Sequence, residues 1–293
     1  MPIIQAHQLT KHYGKVKALD GIDLEVREGE VFGFIGPNGA GKSTTIRILL
    51  GLLRKTQGEI SLFGGDPWHD AVALHPRLAY VPSDVSLWPN LTGGEVIDLM
   101  AKLRGSINSR RRAELIERFA FDPSKRCRTY SKGNRQKVAI ISALVSEVDL
   151  FILDEPTTGL DPLMEAVFQE CVRELKKEGK TIFLSSHILA EVEKLCDRVS
   201  IIKDGKIIEA GTLAELRHFT RTAFVVETEK QVDGLSHIDG VYQVENDGVR
   251  IHFNADASAL SRIMAFLAPF GVRAITCSPP TLEELFLRHY SQK

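Results

Sequence analysis

The sequence predicts an α/β fold followed by a smaller α+β module. Three observations carry that expectation. By residue 53 the chain has run through a strand, a Gly-rich loop and a helix. Leu150-Phe151-Ile152-Leu153 and Thr181-Ile182-Phe183-Leu184 read as strands with a helical stripe of Val167, Cys171 and Leu175 between them, and strand–helix–strand implies a parallel crossover. After about residue 220 the pattern changes to short strands around one amphipathic helix. With 293 residues the chain has room for about two domains. They are expected at 1–217 and 218–293, with a helical subdomain near 90–145 inside the first.

In chain order, Ile22, Leu24 and Val26 alternate with Asp23, Glu25 and Arg27, the period of a half-buried strand. Val31-Phe32-Gly33-Phe34-Ile35 is continuously apolar, which suits a strand covered on both faces. Ile46, Leu49, Leu50 and Leu53 then mark a helix. Thr92-Gly93-Gly94-Glu95 has capping-box spacing, ahead of an expected core stripe of Val96, Leu99, Met100 and Leu103. Leu115, Ile116 and Phe119 predict a second short helix, and Val138, Ile141 and Val145 a third. Arg110-Arg111-Arg112 reads as a solvated helix start. Asp204-Gly205 between Val199–Lys203 and Lys206–Glu209 is a hairpin signal, and a short helix from Thr212 closes the first domain. The second domain is expected to hold strands at 223–227, 249–253 and 272–277, a helix on Leu260, Ile263, Met264 and Leu267, and a last helix from Thr281. His237, His252 and His289 are isolated there, and no catalytic constellation is visible.

Composition narrows the function. Hydrophobic residues make up 43% and charged residues 26%, which excludes disordered and fibrous classes. Lys plus Arg is 37 against 38 Asp plus Glu, a net charge of -1, so no bulk basic field draws nucleic acid and none is expected as a partner. Cys127, Cys171, Cys196 and Cys277 are scattered, which argues against a disulfide framework or a zinc site. The N-terminus lacks the regions of a signal peptide. The apolar stretch around 138–145 is far short of the roughly 20 residues of a membrane span. Any membrane role is expected to come through a partner.

Gly36-Pro37-Asn38-Gly39-Ala40-Gly41-Lys42-Ser43 matches GxxxxGK[ST] in full, between a predicted strand and helix. Glycines let backbone N–H groups converge on phosphate oxygens without Cβ clashes. The loop opens on a helix N-terminus, which favours anions. Lys42 would supply charge to the β- and γ-phosphates, and the Ser43 hydroxyl a ligand to Mg²⁺. Far downstream, a buried strand ends in Asp154-Glu155. Asp154 would hold Mg²⁺ directly or through water, and Glu155 would act as general base toward the attacking water.

Over residues 1 to about 217 the ordered motifs resemble those of ATP-binding-cassette (ABC) ATPase subunits. Gly36 through Thr44 is similar to the Walker A loop and Asp154-Glu155 to Walker B. Tyr130-Ser131-Lys132-Gly133-Asn134 stands in the signature position, Gly159-Leu160-Asp161 in the D-loop, and Ser185-Ser186-His187 in the switch-histidine segment. The resemblance implies a P-loop NTPase core of ABC type that binds ATP with Mg²⁺. It implies that Tyr13 stacks on adenine and that His187 senses the γ-phosphate. Ser131 and Gly133 would meet the nucleotide of an opposite subunit, and Asp161 would hydrogen-bond across that dimer. Two departures stand out. Lys132 and Asn134 replace the usual Gly and Gln of the signature. Ser83, followed by Asp84, stands where the family has the Q-loop Gln or Glu.

The signature and the ending Pro279-Pro280-Thr281-Leu282-Glu283-Glu284-Leu285-Phe286 resemble the ABC-2 type, multidrug exporter branch. That implies an ATP-hydrolysing subunit on the cytoplasmic face of the membrane, partnered by a transmembrane permease and a second ATP-binding subunit, most simply as a homodimer. Membrane contact would come only through the permease. The alternatives are a soluble ABC ATPase of translation or DNA repair and an ATP-dependent regulatory module. A single cassette without coiled-coil or zinc insertions speaks against the first, and Lys42, Glu155 and His187 against the second.

Overall fold

The computed structural model describes residues 2–105, 107–218 and 222–278. The chain divides into two compact units, Met1–Gly211 and Thr212–Lys293. The division falls before the boundary expected at 217, because the short helix Leu213–His218 goes with the second unit.

The first unit opens with β1 (Pro2–Tyr13), β2 (Val16–Arg27) and β3 (Val31–Ile35), then α1 (Lys42–Leu49) and β4 (Gln57–Leu62). β1 lies between β2 and β4, antiparallel to both. After α2 (Ala71–Leu74) and β5 (Leu78–Val81) come three helices, α3 (Gly93–Leu103), α4 (Ser109–Arg118) and α5 (Lys132–Leu144). The chain then runs β6 (Leu150–Asp154), α6 (Pro162–Lys177), β7 (Thr181–Ser186), α7 (Leu189–Leu195), β8 (Arg198–Lys203) and β9 (Lys206–Thr212).

These strands build a six-stranded sheet in the order β5-β6-β7-β3-β8-β9, parallel from β5 through β8. Every residue of β3, β6 and β7 is buried, as the unbroken apolar runs required. Asp204 and Gly205 both take positive φ, 49° and 74°, the conformation a two-residue type I′ hairpin demands. One core joins the sheet to the three-stranded layer. Ile4, Leu24 and Leu62 pack with Ile46, Ile152 and Phe183, each worth about 1.5–3 kcal/mol when fully buried.

The capping box forms as the spacing predicts. The Thr92 side chain accepts from the Glu95 N–H, and the Glu95 carboxylate accepts from the Thr92 N–H at 2.7 Å. The expected stripe on α3 is corrected. Val96 is buried, but Leu103 is 71% exposed and Leu99 also faces outward. α3 packs on α5, and the side it buries is Gly93, Gly94, Ile97 and Ala101. The arginine cluster is likewise only partly solvated. Arg110 is exposed, while Arg111 donates to the Leu144 carbonyl at 2.9 Å and Arg112 pairs with Asp98 at 2.5 Å.

The second unit contains α8 (Leu213–His218), β10 (Thr222–Thr228), β11 (Val241–Asp247), β12 (Arg250–Ala255), α9 (Leu260–Leu267) and β13 (Val272–Ser278). Its antiparallel sheet runs β11-β12-β10-β13. Phe224 and Phe253 sit opposite in register and stack at 5.1 Å. On α9 only Ile263 and Leu267 of the expected stripe are buried, while Leu260 and Met264 are exposed. The helix expected from Thr281, the 279–286 motif and His289 lie outside the described residues.

Candidate functional site

The strand order builds the site. β7 lies between β3 and β6, so three neighbouring parallel strands present their C-terminal ends together. The loop after β3, the carboxylates after β6 and the His187 segment after β7 therefore converge, at the edge where open α/β sheets take ligands. Residues more than a hundred positions apart become neighbours.

The phosphate loop ends on Gly41, the N-cap of α1, with φ 115°. That value is closed to ordinary L side chains. Lys42 follows as the first helical residue, buried, its ammonium folded back over the loop. Nζ donates to the Gly36 carbonyl at 2.6 Å and the Pro37 carbonyl at 3.2 Å, and lies 3.3 Å from Glu155 Oε1. Gly36 and Ala40 are buried, Pro37, Ser43 and Thr44 half-buried, and Asn38 and Gly39 exposed. The loop thus offers a cation and the free N–H groups of a helix start, the chemistry of an anion site.

Ser43 reaches across to β6. Its hydroxyl donates to Asp154 Oδ2 at 3.0 Å, while the Ser185 hydroxyl from β7 donates to Oδ1 at 2.5 Å. Asp154 is buried and has both oxygens engaged. A hydroxyl and a carboxylate side by side are hard oxygen donors of the kind Mg²⁺ accepts alongside phosphate oxygens and water. The donor set fits that ion.

Glu155 stands at φ +47°, a left-handed conformation uncommon outside glycine and, where it occurs, often tied to function. Its N–H donates to the Ser185 carbonyl at 2.9 Å. Its carboxylate takes Lys42 on one oxygen and, on the other, His187 Nδ1 at 3.3 Å. Lys42, Glu155 and His187 thus form one polar chain across the strand ends.

The remaining candidates stand on adjoining elements, and no hydrogen bond joins them to this cluster among the described residues. Tyr13 ends β1, 47% exposed, with the Lys11 ammonium 5.2 Å from its ring centre. Ser131 is the N-cap of α5, its hydroxyl accepting from the Asn134 N–H at 3.3 Å. Asp161 caps α6, its carboxylate accepting from the Met164 N–H at 2.9 Å. At Gly133 a Cβ would lie 2.6 Å from the Gly159 carbonyl oxygen, so the α5 start and the 159–161 segment touch only because residue 133 lacks a side chain. Ser83 is half-buried and Asp84 exposed after β5. Neither is hydrogen-bonded to Ser43, Asp154 or Glu155 among the described residues.

Sequence reasoning gave no role to several residues around this cluster. Besides Ser185, Gln136 on α5 donates to the Pro156 carbonyl at 2.8 Å, tying that helix to the loop after Glu155. Tyr80 on β5 is pushed up to about 12, first by burial and then by Asp154. A groove of about 460 Å³ is lined by Leu50, Leu52, Val72, Tyr80, Leu103 and Arg104, among others. Val72 is 90% exposed there. Arg104 donates to the Ser142 carbonyl and the Ser146 hydroxyl, burial lowers its pKa, and among the described residues no carboxylate pairs with it.

A family model described as ABC transporter matches residues 19–158. A second, for the C-terminal domain of ATP-binding proteins like DrrA1-3, matches residues 211–290. The chain is 36% identical over 291 residues to the daunorubicin resistance ATP-binding protein DrrA3 of Streptomyces coeruleorubidus, covering 94% of this chain and 92% of that one. It is 33% identical over 295 residues to the bacitracin transport ATP-binding protein BcrA of Bacillus licheniformis, covering 98% and 96%. Among solved structures, an ATP-binding subunit of an ABC transporter superposes with a TM-score of 0.70 at 35% identity, over 74% of this chain and 92% of that one. A bacterial ABC transporter cassette solved as a dimer gives 0.66 at 26% identity, over 72% and 98%.

Proposed function

We propose that this chain, which belongs to the ABC transporter family of ATP-binding subunits, powers export of an antibiotic-like small molecule through a separate membrane-spanning permease. ATP binding and hydrolysis are the family's activity. The cargo class and direction rest on the relatives named for daunorubicin resistance and bacitracin transport. The observation that carries the reading is the convergence of Lys42, Ser43, Asp154, Glu155 and His187 at three adjacent strand ends.

Lys42 and the N–H groups at the start of α1 hold the β- and γ-phosphates. As the γ-phosphate draws the Lys42 ammonium, Glu155 is released to accept a proton from the attacking water, whose oxygen closes on the γ-phosphorus as ADP leaves. His187, beside Glu155, orients that water and contacts the γ-phosphate. Ser43 and Asp154 would hold Mg²⁺, which when bound neutralises charge on the β- and γ-phosphates. Tyr13 offers its exposed ring to the adenine. Ser131, Gly133 and Asp161 act toward a second copy of the subunit, as the dimeric cassette among the similar structures suggests.

The permease docks in the groove beside α3, at the cytoplasmic face of the membrane. Leu52, Val72 and Leu103 give it an exposed apolar wall, and Arg104 awaits a carboxylate. No helix among the described residues is long and apolar enough to cross a membrane. The test is co-expression with a polytopic subunit encoded beside this chain. Parent protein should co-purify with it and drive ATP-dependent uptake of an antibiotic into inside-out vesicles. Leu103→Glu should release the permease while the isolated chain keeps its ATPase. Recovery with ribosomes or DNA, and not with a membrane protein, would sink the transport reading.

A further inference from the structure

The turn between β8 and β9 has no part in the chemistry above, yet it is bonded to the phosphate loop. Asp204 is exposed at its tip, but Gly205 is buried. The Gly205 N–H donates to the Ala40 carbonyl in the phosphate loop at 3.0 Å, and the Gly205 carbonyl accepts from the Asp20 N–H on β2 at 2.9 Å. One residue therefore bonds the loop on one side and β2 on the other.

β2 is shaped for this junction. Its pairing with β1 steps from Lys11↔Leu19 to His12↔Lys17, which leaves Ala18 as the extra residue of a bulge, and bulges recur next to active sites. Two glycines crowd the Ala18 carbonyl oxygen. A Cβ at Gly41, the last glycine of the phosphate loop, would stand 2.8 Å from it, and a Cβ at Gly205 2.9 Å. Both glycines hold positive φ, 115° and 74°. Asp20 adds a side-chain tie, its carboxylate pairing with Lys206 of β9 at 3.3 Å and with Lys17 at 3.1 Å.

The bulge lies close to Tyr13. Tyr13 pairs with Val16, and the two residues from Val16 to Ala18 span at most about 7 Å of strand. The residue assigned to the base and the loop assigned to the phosphates thus meet the same short run of β2. The loop's own shape is held from within. The Ala40 N–H donates to the Pro37 carbonyl at 3.2 Å, the Thr45 hydroxyl to the Gly41 carbonyl at 3.1 Å, and Lys42 Nζ to the Gly36 and Pro37 carbonyls.

We propose that Gly205 is a positioning residue for the nucleotide. By bonding the phosphate loop to β2 it fixes the distance between Lys42 and Tyr13, so that one ATP is gripped by its phosphates and its base together. The proposal rests on the roles given to Lys42 and Tyr13 above.

The test compares ATP with inorganic tripolyphosphate, which offers phosphates without a base. Both are titrated by calorimetry into the full-length chain, with Mg²⁺ withheld to prevent turnover. Gly205→Ala puts a Cβ against Ala18 in a backbone conformation that alanine rarely adopts. It should weaken ATP about tenfold while tripolyphosphate stays within about threefold. Tyr13→Ala should do the same. Adding Gly205→Ala to Tyr13→Ala should weaken ATP no more than about threefold further, because both act on one contact. Equal weakening of both ligands by Gly205→Ala overturns the proposal, since the turn then only shapes the loop. Unchanged ATP affinity overturns it too, as do additive losses in the double variant. Should Gly205→Ala fail to fold, exposed Lys206 carries the test. Lys206→Glu sets a carboxylate against Asp20 and should lower the ratio of ATP to tripolyphosphate affinity about threefold, with Asp20→Lys in the same chain restoring it. A parental ratio in Lys206→Glu then overturns the proposal. If Tyr13→Ala lowers the ratio and Gly205→Ala does not, only the role of the turn falls. If Tyr13→Ala leaves the ratio unchanged, the assignment of Tyr13 to the base falls and this role with it.

Discussion

Lys42 and Glu155 meet as an ion pair across the mouth of the phosphate loop, Nζ to Oε1 3.3 Å, with the lysine buried. The residue assigned to the phosphates and the residue assigned to the water thus lie within ion-pair distance of each other.

Removing the cation tests the first half. Lys42→Ala should weaken ATP binding by about 1.5–3 kcal/mol, the range of a charge-assisted hydrogen bond, or roughly 10- to 150-fold in Kd. Titration with a fluorescent nucleotide reads it. Unchanged affinity would remove the phosphate-loop assignment.

Removing the base tests the second half. Glu155→Gln keeps shape and hydrogen-bonding capacity but cannot take the proton, so turnover should fall about 10²–10⁴-fold. Ser43 and Asp154 are untouched, so Mg·ATP should still bind. Gel filtration with Mg·ATP should then show a trapped dimer. His187→Ala should slow turnover with a smaller loss of affinity than Lys42→Ala. If Glu155→Gln hydrolyses ATP within a few-fold of the parent, the base lies elsewhere.

Assembly is read at Ser131. Its hydroxyl caps α5, so losing it costs about 1 kcal/mol of stability apart from any effect on a partner. Ser131→Thr keeps the cap and should keep ATP-driven dimerisation in the Glu155→Gln background. Ser131→Arg should abolish it with nucleotide binding to the monomer nearly intact. A Ser131→Arg dimer in light scattering would contradict the assignment of this residue to the opposite nucleotide.

Arg118 gives a pH-dependent prediction. From the end of α4 it reaches Glu174 at 2.7 Å and Glu170 at 3.7 Å on α6, and its hydrogen bond holds the Glu174 carboxyl below the usual range. A carboxylate with a lowered folded pKa contributes stability that is present above its unfolded value, about 4.3, and is lost as pH falls through the folded value. The gap in urea midpoint between parent and Arg118→Ala should therefore be larger at pH 7 than at pH 3. An equal gap at both would mean that Arg118 contributes by packing alone.

Contiguous signals were legible and distributed ones were not. The phosphate loop and the apolar strand ending at Asp154 each sit within a few adjacent residues, so their residue types could be read directly. β1 escaped because four register shifts break its alternation. β11 escaped because most of its residues are polar and a register shift between Tyr242 and Glu245 interrupts its pairing. On α3 periodicity pointed to the larger leucines, whereas the helix buries its small residues. A Cβ at Gly93 would lie 2.5 Å from the Phe121 ring and 2.5 Å from the Tyr130 hydroxyl, in the segment before α5, so closeness of approach and not hydrophobicity chose the face. Gln136 carries no local signature, since its meaning lies in the Pro156 carbonyl, twenty residues on, that the fold brings to it.

That order also has a consequence for synthesis. β3 emerges from the ribosome early, yet its hydrogen-bonding neighbours are β7, which begins at Thr181, and β8, which begins at Arg198. At about 5–20 residues per second the interval is on the order of ten seconds or longer. Throughout it Val31-Phe32-Gly33-Phe34-Ile35 is an apolar ribbon without its partners, a pairing hazard of the kind chaperones shield. A nascent chain released before Thr181 would carry a complete phosphate-loop sequence, yet no strand would stand between β3 and β6 to bring Ser43 to Asp154.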